Sequence, residues 1–245
     1  MSELLIELFS EEMPPNLQIS ARENLLNNFI NFFDKENIKY DKNFFALSTP
    51  NRLVICFKHI NNSIIKKSEE IRGPNTNASD LALKGFFKSN KISKDKIYKK
   101  KTDKGEFYFL KSPEKKVKTV YLLEENIPQL LASIKWKKSM KWGNYDLYWG
   151  RPLKSIMAIY ESKTLKFNFH HIKSSNKTFL DKNLENKTKV FKNFKSYKKY
   201  FVNQKIIIDH QERKDYIKSK IIKSSKLKNH KVILKNKLIE EVSNI

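Results

Sequence analysis

The run Leu4-Leu5-Ile6-Glu7-Leu8-Phe9 is followed by Pro14-Pro15, and then by Leu17, Ala21, Leu25, Phe29 and Phe32 at helical spacing. The first segment has the length and apolar character of a buried strand. The second is the apolar stripe of a helix that must lie against something. Proline is tolerated in a first helical turn, where its missing amide hydrogen has no partner to lose. Glu11 and Glu12 are expected near that turn, where the helix dipole favours negative charge. This strand–turn–helix unit commits the chain to a packed core. The 245 residues, with 17 Phe and 10 Tyr, can fill one, so wholesale disorder is excluded.

Further elements follow the same logic. Phe44–Leu47 and Leu53–Phe57 read as strands joined by a turn at Thr49-Pro50-Asn51-Arg52, with Pro50 fixing φ. Residues 79–89 read as a short helix after Gly73-Pro74, and Gly85 in its middle suggests close packing. Ile97–Lys101 and Glu106–Lys111 form a hairpin around Asp103-Lys104-Gly105. Residues 117–134 read as helical. Ser155–Tyr160 and Leu165–His170 read as a strand pair, and Lys173–Lys189 as a polar loop or linker. Val190–Val202 reads as an aromatic-rich helix and Ile206–Ile208 as a short strand. Asp209 then caps a helix to about Leu227, with Glu212 placed as in a capping box. Short strands and helices without strict alternation point to an α+β fold. The expected division is an α+β body over 1–172, a linker over 173–189 and a basic segment over 190–245.

The formal net charge is +24, from 50 basic and 26 acidic residues. Such a field attracts polyanions, nucleic acid first and an anionic membrane surface second. The excess is nearly all Lys, which a compositional bias would also produce on a solvated face. The five arginines, Arg22, Arg52, Arg72, Arg151 and Arg213, are more telling, because only a guanidinium offers a rigid fork to phosphate or carboxylate. The stretch from Glu161 to Ile245 carries 22 basic and 8 acidic residues, interrupted by Phe191, Phe194, Tyr197, Tyr200 and Phe201. Either an amphipathic helix with an aromatic core or an RNA-facing surface accounts for it. The one cysteine, Cys56, excludes an internal disulfide framework and a Cys-based metal site, and fits a reduced, cytoplasmic compartment. The first residues lack a basic n-region and contain Glu3 and Glu7, unlike a signal peptide. No apolar run approaches the ~20 residues that span a bilayer, so no membrane association is expected.

Six short strings occur in order. They are Leu4-Leu5-Ile6-Glu7 with Glu11-Glu12-Met13-Pro14; Thr49-Pro50-Asn51-Arg52-Leu53; Gly73-Pro74 with Ala78, Asp80, Ala82 and Gly85-Phe86; Lys138-Ser139-Met140-Lys141-Trp142-Gly143 with Arg151-Pro152; Ile206-Ile207-Ile208-Asp209 with Arg213; and Leu238-Ile239-Glu240-Glu241-Val242. Together they resemble the β subunit of bacterial heterotetrameric glycine–tRNA ligase over the whole chain. Three positions depart from that pattern. Phe9-Ser10 replaces a usual Gly-Thr, Lys141 stands where Arg is common, and Thr178 is followed by Phe179-Leu180-Asp181 instead of Gly-His-Arg-Phe. The family continues into an HD-type and an anticodon-binding domain. The resemblance therefore implies a fragment, a split gene product or a degenerate copy. It also implies an α2β2 assembly in which a separate α subunit activates glycine with ATP and Mg, while the β subunit serves tRNA recognition. A stand-alone basic RNA-binding protein and a purely structural interaction protein are the rival readings.

The residues themselves carry no glycine-rich phosphate loop and no nucleophile elbow, so no catalytic residue is expected. His170-His171 lacks acidic or Cys partners, so no metal site is expected either. Asp209-His210 reads as a cap before it reads as an acid–base pair. Between Trp136 and Arg151, Lys137, Lys138, Lys141 and Arg151 interleave with Trp136, Trp142, Tyr145, Tyr148 and Trp149. Aromatic faces stack on unpaired bases while cations hold phosphates; alternatively the tryptophans are core anchors. Arg52 and Arg72 flank turns and either clamp a phosphate or brace a loop. Lys84 and Lys88 share a helical face, open to an anion or simply to solvent. Arg213, in the fifth string, completes the RNA-binding candidates.

Overall fold

The computed structural model describes residues 2–68, 70–90, 92–93, 96–111, 113–180 and 188–245. In chain order, β1 (Leu4–Ser10), α1 (Pro15–Lys35), β2 (Phe44–Thr49) and β3 (Arg52–Phe57) come first. Then come β4 (Ser63–Lys66), β5 (Glu70–Asn75), α2 (Asp80–Asn90), β6 (Ile97–Thr102), β7 (Gly105–Lys111) and β8 (Lys115–Lys118). After α3 (Thr119–Ala132) follow β9 (Met140–Lys141), β10 (Tyr148–Trp149), β11 (Leu153–Tyr160), β12 (Lys163–Thr164), β13 (Asn168–Phe169), β14 (Ile172–Ser175), β15 (Lys177–Phe179) and β16 (Thr188–Val190). The chain ends in α4 (Phe194–Asn203), α5 (His210–Leu227) and α6 (Asn236–Ser243). The fold is α+β, with two compact units: Met1–Asn62 with Lys118–Ile245, and Ser63–Val117.

The larger unit is built on a sheet ordered β13-β14-β11-β1-β3-β2, with β12 paired to β11. β1 lies antiparallel between β11 and β3, with Ile6 opposite both Ala158 and Ile55. All seven of its residues are buried, as the unbroken apolar run predicts. Side chains alternate across the strands. On one face Leu5, Val54, Cys56, Met157 and Ile159 meet Phe191, Tyr197, Phe201 and Ile208. On the other, Phe57 meets Phe29 and Phe33 of α1, with ring centroids 6.3 and 4.9 Å apart. Each fully buried ring contributes about 1.5–3 kcal/mol. Residues Leu17, Ala21, Leu25, Phe29 and Phe32 are all buried, as their spacing requires. The aromatic residues of α4 are likewise core, with Tyr197 and Phe201 fully buried.

Several local expectations are corrected. Pro14 is extended (φ −55°, ψ 148°), so α1 begins only at Pro15 and Glu11 and Glu12 stand outside its first turn. Glu11 pairs instead with Lys154 at 3.2 Å. A Cβ on Gly85 would meet nothing within 4 Å; the close approach is at Gly73, where it would lie 2.9 Å from the Phe86 ring. Residues 165–170 do not form one strand beside β11. The positive φ of Glu161, Ser162 and His170 turns the chain sharply, and the buried Ser174 hydroxyl accepts from the Phe167 amide and donates to Leu165 O. β11 takes β14 as a parallel neighbour, Ile156 beside Ser174. The stretch read as a polar loop therefore carries β14, β15 and β16, its residues 181–187 lying outside those described. Residues 206–208 form no strand: their backbone is tied to helix-flanking groups, with Ile206 N donating to Phe201 O and Ile207 O accepting from Arg213. Residues 117–118 belong to β8, and α3 starts at Thr119. Asp209 caps α5 as expected, accepting from the Gln211 and Glu212 amides. Glu212 does not complete the box, because its carboxylate receives Lys198 at 2.5 Å.

The smaller unit holds β5-β7-β6 as a three-stranded antiparallel sheet, with the expected hairpin between β6 and β7 closed at Gly105 (φ +113°). Within the larger unit the chain leaves at Asn62 and resumes at Lys118, and the amide of the next residue, Thr119, donates to Asn62 O at 2.9 Å.

Candidate nucleic-acid interface

Five of the six strings meet at one corner of the larger unit. The Ser10 amide donates to Asn51 O at 2.9 Å, the Met13 amide to Pro50 O at 2.7 Å and the Glu11 amide to Pro152 O at 3.0 Å. Arg151 Nε donates to Glu12 O at 3.0 Å. Arg213 reaches the same corner from α5, donating to Ser48 O, Ile207 O and Ser243 O at 2.7–2.8 Å. Arg22 donates to the Ser48 hydroxyl at 2.9 Å, and Gln18 to Met13 O and to Asn244 O, which ties α6 to α1. Burial lowers the Arg213 pKa to about 10 and that of His210, beside Arg22, to about 4.

Beside this corner lies the β9–β10 hairpin. Trp149 is its anchor: 2% exposed, its ring 4.9 Å from Trp136 and 5.5 Å from Phe169. Gly150 allows that packing, since a Cβ there would sit 2.3 Å from the Trp136 ring. Trp142 is half-buried and its indole N–H donates to Trp149 O at 2.9 Å. Trp149, Trp136 and Trp142 thus build the platform. Tyr145 and Tyr148 are 51% and 65% exposed, and the Tyr145 ring stacks on His171 at 3.5 Å. Lys137, Lys138 and Lys141 are exposed around them. Lys141 pairs with Asp146 at 2.7 Å, and that hydrogen bond raises its pKa. The arrangement presents cations and aromatic faces together on a rigid base, which suits a phosphate backbone with unpaired bases.

The other candidates are placed differently. Arg52 is 6% exposed and turned inward: its Nε lies 3.3 Å from Glu7 and it donates to Phe179 O at 2.5 Å. Arg213 is likewise engaged by protein carbonyls. In the smaller unit, Arg72 is exposed over the Phe107 ring, 3.6 Å from its centroid, and Lys84 is exposed on α2. Sequence reading missed Glu7, whose carboxylate is completely buried and accepts from Tyr197. Burial raises its pKa against the pull of Arg52. The available signal was a charged residue inside an otherwise apolar strand, because a buried charge has to be paired. Among the described residues, no three His, Cys, Asp or Glu cluster to hold a metal ion, and no helix is long and apolar enough to cross a membrane.

A family model for the glycyl-tRNA synthetase beta subunit matches residues 4–245. The chain belongs to that family. It is 33% identical over 247 residues to the glycine–tRNA ligase beta subunit of Rickettsia bellii, covering 100% of this chain and 37% of the relative. Its identity to the beta subunit of Rickettsia prowazekii is 31% over 245 residues, covering 100% of this chain and 36% of the relative. The chain thus spans a little over a third of the length of these relatives. Within this beta-subunit fold, three of the strings are joined backbone to backbone at one corner, and the Arg213 and Gln18 side chains bring the last two to it.

Proposed function

We propose that this chain contributes tRNA binding and subunit docking to a glycine–tRNA ligase, in the cytoplasm. In this reading a separate α polypeptide holds ATP and Mg and activates glycine within an α2β2 assembly. The observation that carries it is the family match over residues 4–245. The cationic, aromatic hairpin surface supports it. Lys137, Lys138, Lys141 and Arg151 would neutralise phosphates, and Trp142, Tyr145 and Tyr148 would meet unpaired bases. Arg72 and Lys84 add cations on the smaller unit, while Arg52 and Arg213 hold the framework beneath.

The test mixes the purified chain with glycine tRNA and with the cognate α polypeptide. Expected are co-elution with the α polypeptide and tRNA affinity that falls linearly in log–log form with salt, as counterion release requires. Absence of both would overturn the proposal. RNA binding without α association would favour a stand-alone RNA-binding module.

A further inference from the structure

The β5-β7-β6 sheet carries a second arrangement of rings and cations, separate from the hairpin surface. Strand register places Arg72 and Tyr98 on either side of Phe109, and Lys100 opposite Phe107. These residues share one face, because they occupy alternating positions. Arg72 lies over the Phe107 ring at 3.6 Å and Lys100 over the Phe109 ring at 5.4 Å. Tyr98 and Phe109 are near-parallel, with centroids 6.2 Å apart. Glu70 accepts from the Tyr98 hydroxyl at 2.6 Å and from Lys100 at 2.5 Å, fixing both. Arg72, Tyr98 and Lys100 are exposed. The unit Ser63–Val117 has 15 basic and 7 acidic residues.

We propose that this sheet face binds single-stranded RNA, stacking unpaired bases on the Arg72 guanidinium and the Tyr98 ring. A guanidinium held over a ring leaves its outer planar face free, and such faces accept bases as aromatic rings do. Two planar groups flanking Phe109 stand about 10 Å apart, twice the strand spacing. Lys100 shares that face with Tyr98 and Arg72, where a backbone running between the stacked bases would need its phosphates neutralised. Stacking tolerates any base, so the face selects unpaired strand over sequence. A purely electrostatic surface would not need the ring pairs.

The experiment uses the whole chain and two labelled probes, a uridine oligomer of about ten nucleotides and an RNA duplex of equal length, a size within a single-strand binding footprint. Wild type is expected to prefer the single strand. The double variant Arg72→Lys/Tyr98→Leu keeps the charge and the bulk. It should lose roughly ten- to a hundred-fold on the single strand and leave duplex binding unchanged, with an unaltered melting temperature. Tyr98→Phe removes the bond to Glu70 but keeps the ring, and should bind like wild type. The proposal is overturned if wild type shows no preference, or if both probes weaken equally. It also fails if Tyr98→Phe weakens as much as the double variant, or if a poly-glutamate peptide competes as well as the oligomer. Replacing Lys137 and Lys138 on the hairpin tests the tRNA reading independently, so failure of one leaves the other standing.

Discussion

Glu7 has no solvent contact, and Arg52 Nε lies 3.3 Å from its carboxylate on the adjacent strand, one diagonal step along the ladder. Tyr197 donates to the same carboxylate oxygen from α4, and the Arg52 guanidinium also rests over the Phe9 and Phe201 rings at 4.6 and 4.9 Å. The pair joins the sheet to the helix above it. Breaking one partner leaves a buried charge, whereas replacing both by apolar groups is far milder. Arg52→Met should therefore cost about 3–5 kcal/mol, read as a lower urea midpoint. Glu7→Leu/Arg52→Met should recover most of it. An Arg52→Met protein as stable as wild type would refute the structural role.

Gly150 makes its own prediction. A methyl group there collides with the Trp136 ring, which is pinned in turn by Trp149. Gly150→Ala should destabilise the protein by about 1–3 kcal/mol, the usual cost of overpacking. It should also shift tryptophan emission to the red. Gly143→Ala should leave that packing alone, since the new methyl would come no nearer than 3.9 Å to the Tyr145 ring; its effect is confined to the strained φ of +60°.

Stability should depend on pH through His210. Its folded pKa is held at about 4, by burial first and by Arg22 next, with Arg213 and Lys214 adding to it and Asp209 opposing. The unfolded chain takes up the proton near the ordinary value of about 6.5. The native state does not, so stability is full above about pH 6.5 and falls as pH drops towards 4. Discounted for the partial exposure of the ring, the loss is about 1–2 kcal/mol. Chemical denaturation at a series of pH values should show that slope, and His210→Gln should flatten it.

Lys137 and Lys138 are exposed at the platform edge. Converting both to Gln should weaken tRNA binding uniformly and lower the magnitude of the salt slope by about 2. Melting temperature should stay put, because exposed substitutions usually shift stability by no more than about 0.5 kcal/mol. Lys141→Gln should reduce the slope by less, since Asp146 already offsets that charge.

Apolar patterning made β1 and α1 legible, the turn at Gly105 the β6–β7 hairpin, and the Asp209 cap α5, which has no buried residue. It failed where burial is carried by small polar groups. Ser174 and Thr178 are 7% and 0% exposed, yet they read as loop residues, which hid β14 and β15. The parallel contact of β11 with β14 also depends on turns at residues with positive φ that carry ordinary side chains. In the candidate site, the mixture of Lys and aromatics was visible from composition. Which ring faces inward was not: adjacent Tyr148 and Trp149 are 65% and 2% exposed, a choice made by the register of the hairpin. For the same reason Arg52 and Arg72, equivalent as turn-flanking arginines, have opposite surroundings.

The joint between Asn62 and Thr119 has a consequence for how such a chain tolerates change. To the large sheet, everything from Ser63 to Val117 is a closed excursion whose ends meet at Thr119, which donates to Asn62 O through its amide and to Asn61 O through its hydroxyl. Lengthening, trimming or exchanging that excursion asks for no respacing of β3 against α3, and sites of this kind accept inserted modules readily. The smaller sheet can therefore be remodelled while the corner joined by Ser10, Asn51 and Pro152 keeps its geometry.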